Sequence, residues 1–167
     1  LRDALQNGAF ELNAAALLLD QVAGALSVAH RNQVIHHDIK PGNILLDEDG
    51  NAYLTDFGIA KDLGVSTHDS KEGALVGTPY YFAPEQFKGS RITALTDQYS
   101  LGLVLYELLT GERPFNNLSL AELLYKHLNE PLPPLRRSGR KWSTRSSWRN
   151  RRVLTCGILM AINIWIF

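Results

Sequence analysis

From Asn13 to about Arg31, the apolar residues Ala16, Leu17, Leu19, Val22, Ala23, Leu26 and Ala29 recur at helical spacing. That pattern predicts one long amphipathic helix, with Asn13 placed to cap its start. Three short apolar runs follow: Val34-Ile35, Ile44-Leu45-Leu46 and Ala52-Tyr53-Leu54. The last two flank Asp47-Glu48-Asp49-Gly50-Asn51, a turn-forming cluster, and so predict a small hairpin. Residues 61–82 mix Gly, Ser, Thr, Asp and Lys without a period. They are expected to form an irregular segment longer than most loops, of the kind that is more often functional than structural. After Asp97 the stretch Thr96–Leu109 is nearly all apolar, with Leu101, Val104, Leu105, Leu108 and Leu109; it predicts a helix buried on most sides and ended by Gly111 and Pro114. Leu118–Leu128 predicts a shorter amphipathic helix, stopped by Pro131, Pro133 and Pro134. The pattern as a whole is mainly α with one small β-hairpin.

With 167 residues, 45% hydrophobic and 20% charged, the chain has the composition and length for one domain with a real core. Its zero net charge conceals an asymmetry. All 17 acidic residues lie before residue 136, where only 9 of the 17 basic ones are found, so residues 1–135 carry about −8 and the remainder about +8. Between Arg136 and Arg152 eight Lys/Arg are interleaved with Ser, Thr, Trp142 and Trp148, and an apolar run, Val153–Phe167, follows. This shift divides the chain into a domain, 1–135, and a basic then apolar tail, 136–167, outside it. A single cysteine, Cys156, excludes an intramolecular disulfide framework and fits a reducing, cytoplasmic compartment; no CxxC or Cys/His cluster suggests zinc.

The chemistry is concentrated in three short motifs: His36-His37-Asp38-Ile39-Lys40-Pro41-Gly42-Asn43, then Asp56-Phe57-Gly58, then Ala83-Pro84-Glu85. Singly, each is a weak signal, and Asp38, Asn43 and Asp56 would pass for loop-capping turn residues. In this order, with the spacing Asp-x-x-x-x-Asn and 24 residues between the second and third motifs, they form the protein-kinase signature set.

On these residues the chain resembles the eukaryotic-like, bacterial-type serine/threonine protein kinases over roughly residues 1–135. The resemblance implies transfer of the ATP γ-phosphate to a Ser or Thr hydroxyl of a protein substrate, with Mg²⁺ as cofactor. It implies that Asp38 accepts or orients the proton of the substrate hydroxyl and that Lys40 lies near the transferred phosphate. Asn43 and Asp56 would supply hard oxygen ligands for Mg²⁺ bridging the ATP phosphates. Gly58 completes the second motif, and Phe57 is expected to pack with His36 in an internal apolar spine. Thr78, in Gly77-Thr78-Pro79-Tyr80-Tyr81, resembles part of a substrate-docking loop and is expected to bond near Asp38. Glu85 is expected to pair with an Arg of the family's last helices, and Asp97 matches the anchor of the catalytic-loop backbone. His37 stands where many kinases carry Arg, and a neutral His cannot make a bidentate fork to phosphate. Control by loop phosphorylation, for which Ser66, Thr67 and Ser70 are the candidate positions, is therefore expected to be weak. His30, His68 and His127 are read as surface or satisfied histidines.

The resemblance also has gaps. No GxGxxG loop, VAIK-type Lys or partner Glu occurs among these residues, and Leu1–Asn7 already resembles the helix that follows the hinge. The expectation is a protein-kinase-like fold represented by its C-terminal lobe only, with the N-lobe absent and little or no activity alone; the start, without Met, reads as a truncation. Two alternatives stand beside it, a non-catalytic protein-binding module and a gene remnant with a frame-shifted tail. A further reading of the tail is a basic segment leading to a membrane anchor, although the 15 residues of 153–167 fall short of the ~20 that a spanning helix needs. The basic tail, with Trp142 and Trp148 able to stack, also offers phosphate contacts to nucleic acid or anionic lipid, but no nucleic-acid partner is expected.

Overall fold

The computed structural model describes residues 1–57 and 79–135. Gly58, Thr78, the candidate phosphosites, His68 and the tail from Arg136 to Phe167 lie outside the described residues. In chain order the elements are α1 (Arg2–Leu5), α2 (Leu12–Arg31), a 3-10 turn (Pro41–Asn43), β1 (Ile44–Leu46) and β2 (Ala52–Leu54). A second 3-10 turn (Pro79–Tyr81), α3 (Pro84–Lys88), α4 (Ala94–Thr110) and α5 (Leu120–Asn129) complete the order. The described residues form a helix-rich fold with one two-stranded sheet, as the hydrophobic pattern predicts.

The hairpin forms as expected because its turn is locally determined. Asp47 Oδ1 accepts from the backbone N–H groups of Asp49 and Asn51 at 3.0 and 2.7 Å, and Gly50 takes φ +82°, which glycine adopts without a Cβ penalty. The antiparallel register sets Ile44 opposite Leu54, Leu45 opposite Tyr53 and Leu46 opposite Ala52. Period-2 alternation then buries Ile44 while Leu45 and Tyr53 face outward.

Helix α2 begins at Leu12, with Glu11 as its N-cap, so Asn13 is inside the first turn rather than at the cap. The stripe it buries also differs in part from the expected one. Ala15, Ala16, Leu18, Val22 and Leu26 are buried, whereas Leu17 is 62% exposed and Ala23 faces out. Leu17-Leu18-Leu19 puts leucine on most sides of one turn, so the period alone does not select the packed face; packing does. That stripe joins Val104, Leu105, Leu108 and Leu109 of α4 with Ile39 and Ile44 in the main core. Burial on this pattern contributes roughly 1.5–3 kcal/mol per large side chain.

Two start positions move for one reason. Helix α4 begins two residues before Thr96, because Thr93 Oγ1 accepts from Leu95 N while Thr96 Oγ1 accepts from Thr93 N. Helix α5 begins after Ser119, whose hydroxyl accepts from Glu122 N as the Glu122 carboxylate accepts from Ser119 N at 2.8 Å. Both are reciprocal capping arrangements made by polar side chains, which an apolar period does not register. Gly111 ends α4 in the left-handed conformation, φ +78°, as predicted. Val34-Ile35 forms no strand.

Candidate active site

The loop between α2 and the first 3-10 turn carries His36, His37 and Asp38, and its backbone is tied to the first turn of α4. Asp97, 1% exposed, accepts from His36 N on Oδ2 at 2.8 Å and from His37 N on Oδ1 at 2.9 Å. His30, at the end of α2, donates from Nε2 to the same Oδ2 at 2.7 Å. One carboxylate thus joins three segments of chain. His37 adopts φ +71°, in the left-handed region that is costly for a side chain with a Cβ. The strained residue is held on both sides: its N–H by Asp97 and its carbonyl by Gln86 Nε2 of α3, which donates at 2.9 Å.

Inside this frame the polar side chains converge on Asp38. Lys40 Nζ donates to Asp38 Oδ2 at 2.5 Å. Asn43 Nδ2 donates to the Asp38 carbonyl at 2.8 Å and to Oδ2 at 3.1 Å. Asp38 therefore presents its carboxyl with one oxygen fixed by a cation and an amide, and the partly exposed group remains open to solvent. Because Asn43 spends its amide N–H groups on Asp38, its Oδ1 is left as an acceptor with no hydrogen bond among the described residues.

His36 is fully buried, and its ring is oriented by what it bonds. Asp38 N donates to Nδ1 at 3.3 Å, so Nδ1 is the acceptor and Nε2 carries the proton it gives to the Thr55 carbonyl at 2.8 Å. Its centroid lies 4.6 Å from that of Phe57 in a tilted contact. This ring consequently bridges the Asp38 loop to the chain just before Asp56. Thr55 N also donates to the Asn43 carbonyl at 2.9 Å, which brings the Asn43 turn and Asp56 together. Asp56 takes φ +59°, and its exposed carboxylate accepts from Thr55 Oγ1 at 3.5 Å.

Glu85, at the start of α3, accepts from Thr96 Oγ1 at 2.5 Å. Among the described residues its bonded partner is thus a hydroxyl of α4, and no Arg pairs with it there. His30 is satisfied as expected. His127 is not a surface residue: it is 95% buried among Phe87, Tyr99 and Phe115, with ring centroids 5.1–5.8 Å away. Tyr99 hydroxyl bonds its Nδ1 at 2.7 Å, and Nε2 has no partner among the described residues. Burial lowers its pKa to about 4.

Sequence reasoning missed the parts played by His30, Thr55 and Gln86. Each acts through a plain hydrogen bond across 19 to 67 residues of chain, and no local motif announces such a bond. It also missed Tyr81, whose hydroxyl donates to Glu107, and the cavity of about 480 Å³ beside Lys40 that this pair lines.

The family described as protein kinase domain matches residues 1–154. The serine/threonine-protein kinase PrkC of Bacillus subtilis is 42% identical over 137 residues, covering 82% of this chain and 20% of that protein. A probable serine/threonine-protein kinase of Clostridium perfringens is 44% identical over 130 residues, 77% of this chain and 19% of its own length. Serine/threonine-protein kinase PknB of Mycobacterium leprae is 44% identical over 114 residues, 68% and 18% of the two chains. The chain spans about a fifth of the length of these relatives.

Proposed function

This chain belongs to the protein kinase family, of the bacterial serine/threonine type, and from that premise we propose that residues 1–135 form the C-terminal lobe of a kinase that phosphorylates Ser or Thr of a protein substrate. The observation that carries the proposal is the constellation on Asp38: a carboxyl fixed by Lys40 and Asn43, on a backbone locked by the buried Asp97. Phosphoryl transfer needs little covalent help from the protein; it needs two oxygens held in line and charge neutralised between them. A bond forms from the acceptor hydroxyl oxygen to the γ-phosphorus of ATP as the bond to the β–γ bridging oxygen breaks. ADP leaves with that electron pair, and the hydroxyl proton passes to the Asp38 carboxylate. Lys40, already at Asp38, faces the negative charge that moves.

The residues present fit Mg²⁺. Asn43 Oδ1 and the exposed Asp56 carboxylate are hard oxygens on adjoining backbone, and Mg²⁺ is ordinarily bound by one or two such side chains together with substrate phosphates and water. Among the described residues no cluster of three His, Cys, Asp or Glu offers a cage made by protein alone, which agrees with that mode. When bound there, the ion neutralises phosphate charge. In this reading His36, His37, Phe57, Gly58, Glu85 and Asp97 hold the geometry, and Thr78 belongs to the substrate-docking segment. The location that fits is the cytoplasm, and 153–167 would be the anchor if the protein is held at a membrane.

These 167 residues contain no GxGxxG loop to cover the phosphates, so the chain alone is proposed to transfer phosphate slowly or not at all. The test is thiophosphate transfer from ATPγS to a mixture of Ser- and Thr-containing peptides. A slow transfer that Asp38→Asn lowers at least ~100-fold is expected. Transfer left intact by that substitution overturns the role of Asp38, whereas absence of transfer from both proteins is what a lobe with little or no activity alone gives.

A further inference from the structure

His37 is the strained point of the loop that carries Asp38. Its φ of +71° lies in the left-handed region, which a residue with a Cβ occupies only when its surroundings hold it there. Two rigid peptide planes flank it; the one before sets φ and the one after sets ψ. The first is fixed by Asp97 Oδ1, which accepts from His37 N at 2.9 Å. The second is held at both ends: Gln86 Nε2 donates to the His37 carbonyl at 2.9 Å, and Asp38 N donates to His36 Nδ1 at 3.3 Å. The bond from Gln86 is the shorter of these two, and it alone reaches this plane from outside the loop. Because the same plane ends at the Asp38 Cα, its orientation sets where the Asp38 carboxyl points.

The other end of the Gln86 amide is engaged as well. Its Oε1 accepts at 2.9 Å from the N–H of Ala83, a fully buried residue. One planar amide therefore joins the Asp38 loop to the start of α3. The neighbouring Glu85 accepts from Thr96 Oγ1 at 2.5 Å, and Thr96 precedes Asp97. Contacts thus run in a closed ring, from His37 to Asp97 and Thr96, on to Glu85 and Gln86, and back to His37.

We propose that Gln86 is a positioning residue for Asp38: by donating to the His37 carbonyl it holds the peptide plane between His37 and Asp38, and so keeps the Asp38 carboxyl where Lys40 and Asn43 meet it. The inference rests on the proposed transfer site in giving that carboxyl its task. Without the donor, the plane is held only by the longer bond to His36, and His37 can relax out of its left-handed conformation. Asp38 then turns relative to Asn43 Nδ2, which bonds both its carbonyl and its Oδ2. Glutamate is the discriminating substitute at position 86. It has nearly the same shape, and its carboxylate accepts from Ala83 N as the Gln86 oxygen does, but it carries no N–H for the His37 carbonyl. Methionine, of similar length, offers neither bond.

Residue-resolved amide hydrogen exchange of the full chain, read by NMR, tests this without requiring turnover. In Gln86→Glu the Asp38 amide should exchange about tenfold faster, the size expected for one lost hydrogen bond. The side-chain amide resonances of Asn43 should move with it, since they report the Asp38 oxygens they bond. The amides of Ala83 and of the buried Val104 and Leu105 should keep their wild-type rates. Gln86→Met should speed exchange at Asp38 and at Ala83 together. A residue that only caps α3 would change Ala83 and leave Asp38 alone, and a general loss of stability would speed Val104 and Leu105 as much as Asp38. Either of those patterns overturns the proposal, as does an Asp38 amide already unprotected in the wild type. So do unchanged Asn43 side-chain resonances, or Asp38 rates within about twofold of wild type in both variants. Failure of the transfer reading has a different signature: thiophosphate transfer survives Asp38→Asn while the exchange effect of Gln86→Glu persists.

Discussion

Two buried polar side chains, Asp97 and His127, show what a single position can and cannot reveal beforehand. Asp97 was legible through the family resemblance, which makes the acid at the start of this apolar helix the anchor of the catalytic-loop backbone. Its three hydrogen bonds to His36 N, His37 N and His30 answer the desolvation cost that burial imposes on a carboxylate. His127 gave no such signal; it occupies a helical position that Phe, Tyr or Leu could fill, and only the fold surrounds it with Phe87, Tyr99 and Phe115. Burial depresses its pKa to about 4, from the ordinary imidazole value of about 6.5. A histidine that stays neutral in the folded state binds fewer protons there than in the unfolded chain. Stability therefore rises with pH between about 4 and 6.5 and is flat above that window. Between pH 7 and pH 5 the share due to His127 should be a loss of about 2 kcal/mol. Asp47 and Glu122 shift the other way, held below the usual carboxylate range by hydrogen bonds from Asn51 and Ser119, so their stabilisation is lost only as pH falls below about 4. Denaturant midpoints of the wild type and His127→Gln at pH 7 and pH 5 separate these effects. The variant should have a flatter dependence, and identical slopes would show that the imidazole does not titrate in this window.

Helix starts and stops were legible to different degrees. The β1–β2 hairpin was read to the residue, because alternation and an Asp/Asn/Gly turn act within eleven residues of each other. The start of α4 was misplaced because Thr93 and Thr96 cap it through hydroxyls, whereas its end was read correctly from Gly111. The structure shows a second reason for that glycine. A Cβ at position 111 would lie 2.9 Å from the backbone N of Ala9 and 3.4 Å from the carbonyl carbon of Gly8, and φ is +78°. The loop from α1 to α2 packs against the end of α4 here, and Phe10 N donates to the Leu108 carbonyl at 2.8 Å. Gly111→Ala should therefore cost about 2–3 kcal/mol, adding a backbone clash to the ~1 kcal/mol of the left-handed conformation. Gly24, on the exposed side of α2, is the internal control, because a Cβ there meets nothing within 4 Å. Gly24→Ala should stabilise by about 0.5–1 kcal/mol through helix propensity. Urea denaturation of the two variants gives the comparison, and a neutral Gly111→Ala would mean that the α1–α2 loop is not seated on α4.

The assembly of these parts was the least legible feature, since the core and site join segments far apart in the chain. His30, His36 and Asp97 meet across separations of 61 and 67 residues, and no periodicity within one helix encodes which helix it will meet. Helix α2 makes the ambiguity concrete. By length and composition alone Leu12–Arg31 could cross a membrane, because Leu17-Leu18-Leu19 and the alanines around it make it apolar on most sides. The fold assigns it a different place: Leu18, Val22 and Leu26 pack with Val104, Leu105 and Leu108 of α4 and with Ile44 of β1. The two placements treat its leucines differently. A lipid environment would surround Leu17 and Leu26 alike, whereas in this fold Leu26 is 3% exposed and Leu17 is 62% exposed. Leu26→Ala should therefore leave a cavity and cost about 2–5 kcal/mol, while Leu17→Ala should change stability by no more than ~0.5 kcal/mol. Thermal and urea unfolding of both variants in detergent-free buffer reads the difference directly. Equal and small effects would remove α2 from the core, and with it the support beneath the His30–Asp97 contact that holds the Asp38 loop.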